Sequence, residues 1–192
     1  MNTWAIADLH GCPKTFESLV NMISLSRSDT LFILGDLINR GPDSKTVLDI
    51  ILKLKADKYS VKVLKGNHDH LMEMAVNDDL FDKYLRNNKR GYVKTLDSFE
   101  IKRESELNKV YKDFLKSLPY HFSYKNILMV HAALNNKRSE FMNDYHSMLW
   151  ERSSLFIPSE YQYLIHGHVP VNLNSIRDGL VLEKKHFSID NG

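Results

Sequence analysis

The feature that most constrains the fold is a regular spacing between three short apolar runs, each followed by polar residues. The runs and their polar ends are Trp4-Ala5-Ile6-Ala7 before Asp8-Leu9-His10-Gly11, Leu31-Phe32-Ile33-Leu34 before Gly35-Asp36, and Val61-Lys62-Val63-Leu64 before Gly66-Asn67-His68-Asp69. Asp8 and Asp36 are 28 residues apart, and Asp36 and Asn67 are 31 apart. A strand, its crossover helix and the return take about 30 residues. The spacing therefore predicts a parallel β-α-β-α-β unit with polar side chains at the carboxyl edge, where α/β sheets bind ligands.

Apolar residues at helical spacing fall between these predicted strands. They are Phe16, Leu19, Val20 and Ile23 after Pro13, and Val47, Ile50, Ile51 and Leu54 after Pro42-Asp43-Ser44. Strand character returns at 126–130, which ends in His131, and at 161–165, which precedes His166-Gly167-His168. We therefore predict an α/β fold, in which a layered β-sheet core is flanked by helices within a single domain spanning 1–192.

The segment of about 75–118 differs from the rest, because it is rich in charge and helical in pattern. Apolar residues between Leu107 and Leu118 share one helical face, and Pro119 ends that helix. Two interpretations stay open for this insertion. It covers one face of the sheet, or it forms a cap that shapes a substrate groove.

Composition excludes several classes of protein. The net charge of +2 does not point to nucleic acid or to a membrane surface. The N-terminus lacks the basic and apolar regions of a signal peptide, and no apolar run reaches the length of a membrane span. A single cysteine, Cys12, fits a reducing compartment. We expect a cytoplasmic protein, and the sequence leaves its oligomeric state open.

The polar residues at the predicted strand ends form a set of potential metal ligands. They are Asp8, His10, Asp36, Asn67, His68, His131 and His168. Carboxylate, imidazole and amide oxygen together suit manganese, iron or zinc rather than calcium. If these ligands form two groups, one carboxylate between the groups can bridge two ions about 3.5–4 Å apart. Arg40, four residues after Asp36, offers a planar fork of donors to a phosphate. Each residue also has a structural alternative, such as a helix cap, a turn residue, a core histidine or a surface charge.

Five motifs in order resemble those of the metallophosphoesterases. They are Asp8-Leu9-His10-Gly11, Gly35-Asp36 with Asn39-Arg40-Gly41, Gly66-Asn67-His68-Asp69, His131-Ala132 and Gly167-His168. More narrowly, they resemble the phosphoprotein phosphatase family, and within it small bacterial and phage-type serine/threonine phosphatases. Met148-Leu149-Trp150-Glu151-Arg152 is similar to the tryptophan segment of that family, and Ile189-Asp190-Asn191-Gly192 to its late motif.

The resemblance implies a role for each matching residue. Asp8, His10 and Asp36 hold one divalent metal, and Asp36, Asn67, His131 and His168 hold a second; manganese is expected, with iron, zinc and magnesium left open. Arg40 and Arg152 hold the phosphate oxygens, and Arg138 and Arg177 compete with Arg152 for that role. A hydroxide held between the metals attacks phosphorus, and His68 protonates the leaving group. His166 is interpreted as a structural or supporting residue.

One departure from the family pattern bears on catalysis. Asn39 stands where the family usually has an aspartate that pairs with the catalytic histidine. A carboxylate favours the charged imidazolium, whereas an amide orients the ring and brings no charge. We therefore expect His68 to be a poorer acid and turnover to be slower for poor leaving groups.

The resemblance implies a metal-dependent phosphomonoesterase, first of all a phosphatase acting on phosphoserine or phosphothreonine in a protein or peptide. An alternative is a hydrolase of dinucleoside polyphosphates such as diadenosine tetraphosphate, and another is a metal-binding regulatory module with impaired catalysis. A nucleotide substrate needs an aromatic or basic pocket for its base, for which Tyr84, Tyr92 and Phe99 are candidates. Aromatic residues at such spacing are more often part of a core.

Overall fold

The computed structural model describes residues 1–77, 90–135, 140–153 and 156–192. Its first sheet contains three parallel strands in chain order: β1 (Thr3–Ile6), β2 (Thr30–Ile33) and β3 (Ser60–Val63). Ala5 pairs with Phe32, and Phe32 pairs with Lys62. The strands therefore end side by side, which brings the motifs that follow them to one edge of the sheet.

Two crossover helices join these strands, as their apolar spacing predicts. Helix α1 (Pro13–Met22) starts with a proline, whose fixed φ suits the first helical turn. Helix α2 (Ser44–Ala56) is capped by Asp43, whose carboxylate accepts a hydrogen bond from Thr46 N at 2.9 Å. Phe16 from α1 and Val47 from α2 are fully buried against the sheet.

The second sheet contains four strands in the order β4 (His121–Tyr124), β5 (Ile127–Val130), β6 (Tyr163–His166) and β7 (His186–Ser188). Strands β5, β6 and β7 are parallel, whereas β4 is antiparallel to β5. Strand β4 has no counterpart in the sequence predictions. Tyr124 pairs with Ile127, and Lys125 between them has a φ of 54°, so a tight turn connects the two strands.

The two sheets pack face to face. Phe32 of β2 and Leu34, which directly follows this strand, share one buried cluster with Met129 of β5. Their chain neighbours Leu31 and Ile33 point to the opposite face of the first sheet. Helices α1 and α2 cover the outer face of the first sheet. The outer face of the second sheet packs around Leu128 and Met148. The predicted α/β fold, with a layered sheet core flanked by helices, is confirmed.

The remaining helices are α3 (Asn67–Asn77), α4 (Arg90–Ser98), α5 (Lys109–Ser117), α6 (Tyr145–Trp150) and α7 (Leu173–Val181), with 3₁₀ turns at Glu104–Glu106 and Phe141–Asn143. Helices α4 and α5 come from the predicted insertion, of which 78–89 lie outside the described residues. Both pack into the same core cluster as α2 through Leu96 and Phe114. Within the described ranges, every helix is too short or too polar to cross a bilayer.

Candidate metal centre

Two groups of potential ligand atoms meet at the ends of the strands, and Asp36 belongs to both. In the first group, atoms of His10, Asp36 and His68 lie within 4.8 Å of one another. In the second, atoms of Asp36, His131 and His168 do the same. The first sheet supplies Asp36 and the second supplies His131 and His168, so the centre lies where the two sheets meet.

The orientation of two histidines is set by backbone carbonyls. His10 Nδ1 donates to Ile38 O at 3.1 Å, and His131 Nδ1 donates to Leu34 O at 2.8 Å. In the neutral ring, the form that binds metal, Nε2 then carries the lone pair, and each Nε2 lies 3.5 Å from a different carboxylate oxygen of Asp36. Lone pairs that face a carboxylate repel it unless a cation lies between them, and fixing Nδ1 in this way is typical of metal-ligating histidines.

The amide of Asn67 lies among the acceptors of the second group. Its Oδ1 is 3.0 Å from His131 Nε2, 3.1 Å from His168 Nδ1 and 3.3 Å from both carboxylate oxygens of Asp36. An oxygen in this position is stabilised by a cation, whereas without one the amide NH₂ would be favoured. The donor set of carboxylate, imidazole and amide oxygen therefore fits a divalent transition metal.

Asp8 brings a second carboxylate to the centre. Its oxygens accept from His168 N at 3.1 and 3.2 Å, and Oδ2 lies 3.8 Å from His10 Nε2. Burial raises the pKa of Asp8, and the charges of Asp36 and Asp190 add to the effect, so that the pKa lies at about 9. Carboxylates gathered in this way need positive charge nearby to ionise at neutral pH, which two divalent cations would supply.

Backbone strain is concentrated in the same loops. Among the residues with positive φ are Asp8, His10, Asp36, Asn39, Arg40 and His168. Such angles are uncommon for residues with a side chain and recur at functional sites. Gly66 permits a close approach, because a Cβ there would lie 2.1 Å from Asp36 N. The strained turns fold the motifs back over the strand ends and point their side chains into one space.

His68 is held by a buried network that reaches into the insertion. Asn39 Nδ2 donates to His68 Nδ1 at 3.0 Å, and Thr95 Oγ1 of α4 donates to Asn39 Oδ1 at 2.8 Å. Asn39 N donates to Ser44 Oγ at 3.1 Å and to Thr95 Oγ1 at 3.2 Å. Because an amide NH₂ only donates, His68 Nδ1 accepts, and its proton is on Nε2. Burial lowers the pKa of His68 to about 4.

The two predicted phosphate-binding arginines flank the centre, and both are exposed. The charge of Arg40 lowers the pKa of His68, after burial as the main cause, and that of Arg152 acts on His168 in the same way. Of the competitors for the role of Arg152, Arg177 is exposed on α7, and Arg138 lies outside the described residues. The roles of the site residues stay predictions.

Three buried residues that support the site were not assigned a role from sequence. Asp69 accepts from Leu37 N at 3.0 Å and from Gly66 N at 2.9 Å, so it joins two of the motif loops. Asp190 is buried close enough to Asp8 to raise its pKa, and Thr95 contacts Asn39. The place of Asp69 in the third motif was a usable signal for its role.

The aromatic residues considered for a nucleotide base do not line an open pocket. Tyr92 is buried and donates a hydrogen bond to Glu104. Phe99 packs edge to face on Tyr111, with ring centroids 5.0 Å apart. Both therefore belong to the helical core, which is the alternative that the sequence favours for aromatic residues at this spacing. Tyr84 lies outside the described residues.

The layered sheets and the polar centre at their strand ends define a metallophosphoesterase, an enzyme of the hydrolase class. The chain belongs to the calcineurin-like phosphoesterase family, which it matches over residues 1–172. It is 46% identical over 77 residues to the symmetrical bis(5′-nucleosyl)-tetraphosphatase of Delftia acidovorans, covering 39% of this chain and 26% of that protein. It is 35% identical over 102 residues to the protein of the same name from Buchnera aphidicola, covering 53% and 36%. The matched segments thus span about a quarter to a third of these relatives.

Solved structures share the fold at low sequence identity. One is provisionally assigned as a diadenosine tetraphosphatase, with a TM-score of 0.61, 19% identity, and coverage of 97% of this chain and 82% of that one. Another is a Saccharomyces cerevisiae serine/threonine phosphatase similar to human PP5, with a TM-score of 0.62, 14% identity, and coverage of 89% and 65%. The metallophosphoesterase prediction is confirmed, and the narrower resemblance to serine/threonine phosphatases stays a prediction.

Proposed function

We propose that this metallophosphoesterase hydrolyses the phosphoanhydride chain of dinucleoside polyphosphates, with diadenosine tetraphosphate as the representative substrate. The observation that carries the proposal is the local identity of 46% and 35% to proteins named symmetrical bis(5′-nucleosyl)-tetraphosphatases. Symmetrical cleavage of a tetraphosphate gives two nucleoside diphosphates. This was the alternative reading of the sequence, and it now has more support than the protein phosphatase.

The hydrogen bond between Asn39 and His68 agrees with such a substrate. A neutral imidazole that carries its proton on Nε2 is a weaker acid than an imidazolium, and Asn39 brings no charge to stabilise the imidazolium. A nucleoside diphosphate leaves as a stable anion and needs little help from an acid. A serine or threonine alkoxide is far more basic and depends on protonation. The site is therefore better matched to cleavage of a phosphoanhydride than to cleavage of an alkyl phosphate.

The residues at the strand ends have separate tasks in this proposal. Asp8, His10 and Asp36 would hold one divalent ion, and Asp36, Asn67, His131 and His168 the other. Bound metal would supply Lewis-acid charge and an activated water. Arg40 and Arg152, which flank the centre, would orient the phosphate and neutralise the charge that develops on its oxygens. His68 would place its Nε2 proton near the leaving oxygen.

A substrate comparison tests the proposal. Metal-stripped protein is reloaded with Mn²⁺ and given diadenosine tetraphosphate or a phosphothreonine peptide. We expect release of two ADP molecules from the dinucleotide, and much slower turnover of the peptide. Asp36→Asn should lose at least about 10³-fold in kcat/KM, since a catalytic metal supplies several kcal/mol. Asp57→Asn, at an exposed helix end, is the matched control and should keep full activity. Turnover confined to the peptide would reinstate the protein phosphatase.

A further inference from the structure

A pocket of about 230 Å³ opens beside the metal centre, between α7 and the strands β6 and β7. Its lining includes Arg152, His166, Ile176, Lys184, His186 and Phe187. His166 is the last residue of β6, and His168 follows it by two residues in the loop after that strand. The pocket is therefore built on the same strand end as the metal centre and is separate from the aromatic core residues considered above.

The charged side chains that line this pocket are positive. Arg152 and Lys184 are cations, and His166 and His186 add two imidazoles whose rings lie 4.6 Å apart. Among the described residues that line the pocket, none is acidic. Two cations without a carboxylate between them favour an anionic ligand, and arginine favours phosphate in particular.

Beside two serines and a glycine, the rest of the lining is apolar and partly aromatic. Val169, Val171, Ile176 and Phe187 contribute to the walls. Helix α7 approaches the ring of Phe187 closely at Gly179, where a Cβ would lie 3.3 Å from Phe187 Cε1. Flat apolar surface next to cations matches a nucleoside that carries phosphate. The volume is below the roughly 300–1,000 Å³ of pockets that enclose whole ligands, so it suits one end of a larger molecule.

Arg152 connects the pocket to the metal centre. It lines the pocket, and two residues earlier the ring of Trp150 packs edge to face on His168, with ring centroids 6.3 Å apart. A phosphate chain with one phosphoryl group at the metal centre can therefore follow the positive charge of Arg152 into the pocket.

We propose that this pocket, between α7 and the β6 and β7 strands, binds one nucleoside end of a dinucleoside polyphosphate, with Lys184 and Arg152 holding the adjacent phosphates. The inference rests on the proposed function. It states where the nucleoside binds, away from the phosphate that reacts. It also explains how the protein recognises a nucleotide although Tyr92 and Phe99 belong to the helical core.

Two neighbouring lysines provide a matched test. Lys184 lines the pocket and Lys185 does not, and both are exposed. Lys184→Glu should raise KM for diadenosine tetraphosphate about tenfold relative to KM for p-nitrophenyl phosphate, because it replaces a cation at the proposed phosphate position with an anion. Lys185→Glu should leave this ratio unchanged. Ile176→Trp, which fills the cavity, should act like Lys184→Glu. Equal effects of the two lysine variants, or an unchanged ratio in both Lys184→Glu and Ile176→Trp, would overturn the proposal.

A binding measurement separates this proposal from the proposed function. Titration of ADP into chelator-treated protein by calorimetry needs no catalysis. We expect binding that Lys184→Glu weakens about tenfold and Lys185→Glu does not change. If the wild-type enzyme fails to cleave diadenosine tetraphosphate but this binding pattern holds, the proposed function is wrong and the nucleotide pocket stands. If ADP does not bind, or binds equally to both variants, the pocket assignment is wrong.

Discussion

At position 39 a carboxamide stands where the phosphatases that the sequence resembles usually have a carboxylate. It contacts His68, the proposed general acid, directly. Asn39 Nδ2 donates to His68 Nδ1, so the ring is held in the tautomer that carries its proton on Nε2. A carboxylate in this position would accept from Nδ1–H instead and would stabilise the imidazolium. A single atom change at residue 39 therefore alters the acid strength of His68.

We predict that Asn39→Asp speeds up the hydrolysis of alkyl phosphates about tenfold or more, because a general acid contributes about 10²–10⁴-fold where the leaving group needs a proton. Hydrolysis of p-nitrophenyl phosphate and of diadenosine tetraphosphate should change little, since their leaving groups are stable anions. The measurement is kcat/KM for a series of phosphate esters of rising leaving-group basicity. An identical dependence on leaving group in both proteins would contradict this account.

Helix α4 extends this control of His68 to a whole element. Thr95 donates to Asn39 Oδ1 and lies within 2.8 Å of Ser44 Oγ, so the helix fixes which end of the amide faces His68. Close packing makes this possible: a Cβ at Gly91, one turn earlier, would lie 2.5 Å from Arg40 N. The insertion thus does more than cover the sheet, because it positions Asn39, which contacts His68.

Thr95→Val should release the amide of Asn39 and give His68 a mixture of tautomers. Nitrogen chemical shifts of the His68 ring report this directly and would not change if Thr95 only stabilised the fold. Unfolding should become easier by about 1–3 kcal/mol, the cost of leaving a buried polar group without a partner. Thr95→Ser keeps the hydroxyl and should restore the wild-type shifts. A ring that stays in one tautomer in Thr95→Val would show that α4 does not position it.

The elements that could be predicted from sequence are those that end in a motif. Strands β1, β2 and β3 were found because each delivers Asp8, Asp36 or Asn67 at a regular spacing, and each crossover helix is amphipathic. Strand β4 was missed because it is half-exposed and no motif follows it. The contact between Asn39 and Thr95 joins positions 56 apart, and the pocket beside α7 joins segments that only the folded sheet brings together. Local pattern does not specify such contacts.

On the scale of the whole molecule, the metal centre joins the two sheets. Asp8 and Asp36 follow strands of the first sheet, and His131 and His168 follow strands of the second. Without metal, buried carboxylates and imidazoles face one another across this junction. Burial raises the pKa of Asp8 to about 9 and lowers that of His168 to about 4. The stability of the fold should therefore depend on pH in a way that metal binding removes.

The sign of this dependence follows from the two kinds of group. The folded chain holds the Asp8 proton more tightly than the unfolded chain, whose aspartates have a pKa of about 4, so stability falls as pH rises from about 4 to about 9. Burial also raises the pKa of Asp69, to about 7, so the stability that its proton contributes is lost as pH rises from about 4 to about 7. The buried histidines His68, His166 and His168 have folded-state pKa values of about 3 to 4. They lower stability only below about pH 6.5, where they are charged in the unfolded chain.

Between about pH 7 and about pH 9, Asp8 therefore dominates. In chelator, the free energy of unfolding should fall across this range with a slope of up to about 1.4 kcal/mol per pH unit, the value for one proton. With Mn²⁺ bound, Asp8 is ionised in the folded state as well, and the slope should be nearly flat. Urea unfolding at several pH values, with and without chelator, measures both slopes.

Two variants serve as controls. Asp8→Asn should remove the slope in chelator, and the exposed Asp57→Asn should keep it. If the slope in chelator survives Asp8→Asn, the pH dependence of stability comes from other groups. If the slopes with and without Mn²⁺ are equal, no metal binds at this junction.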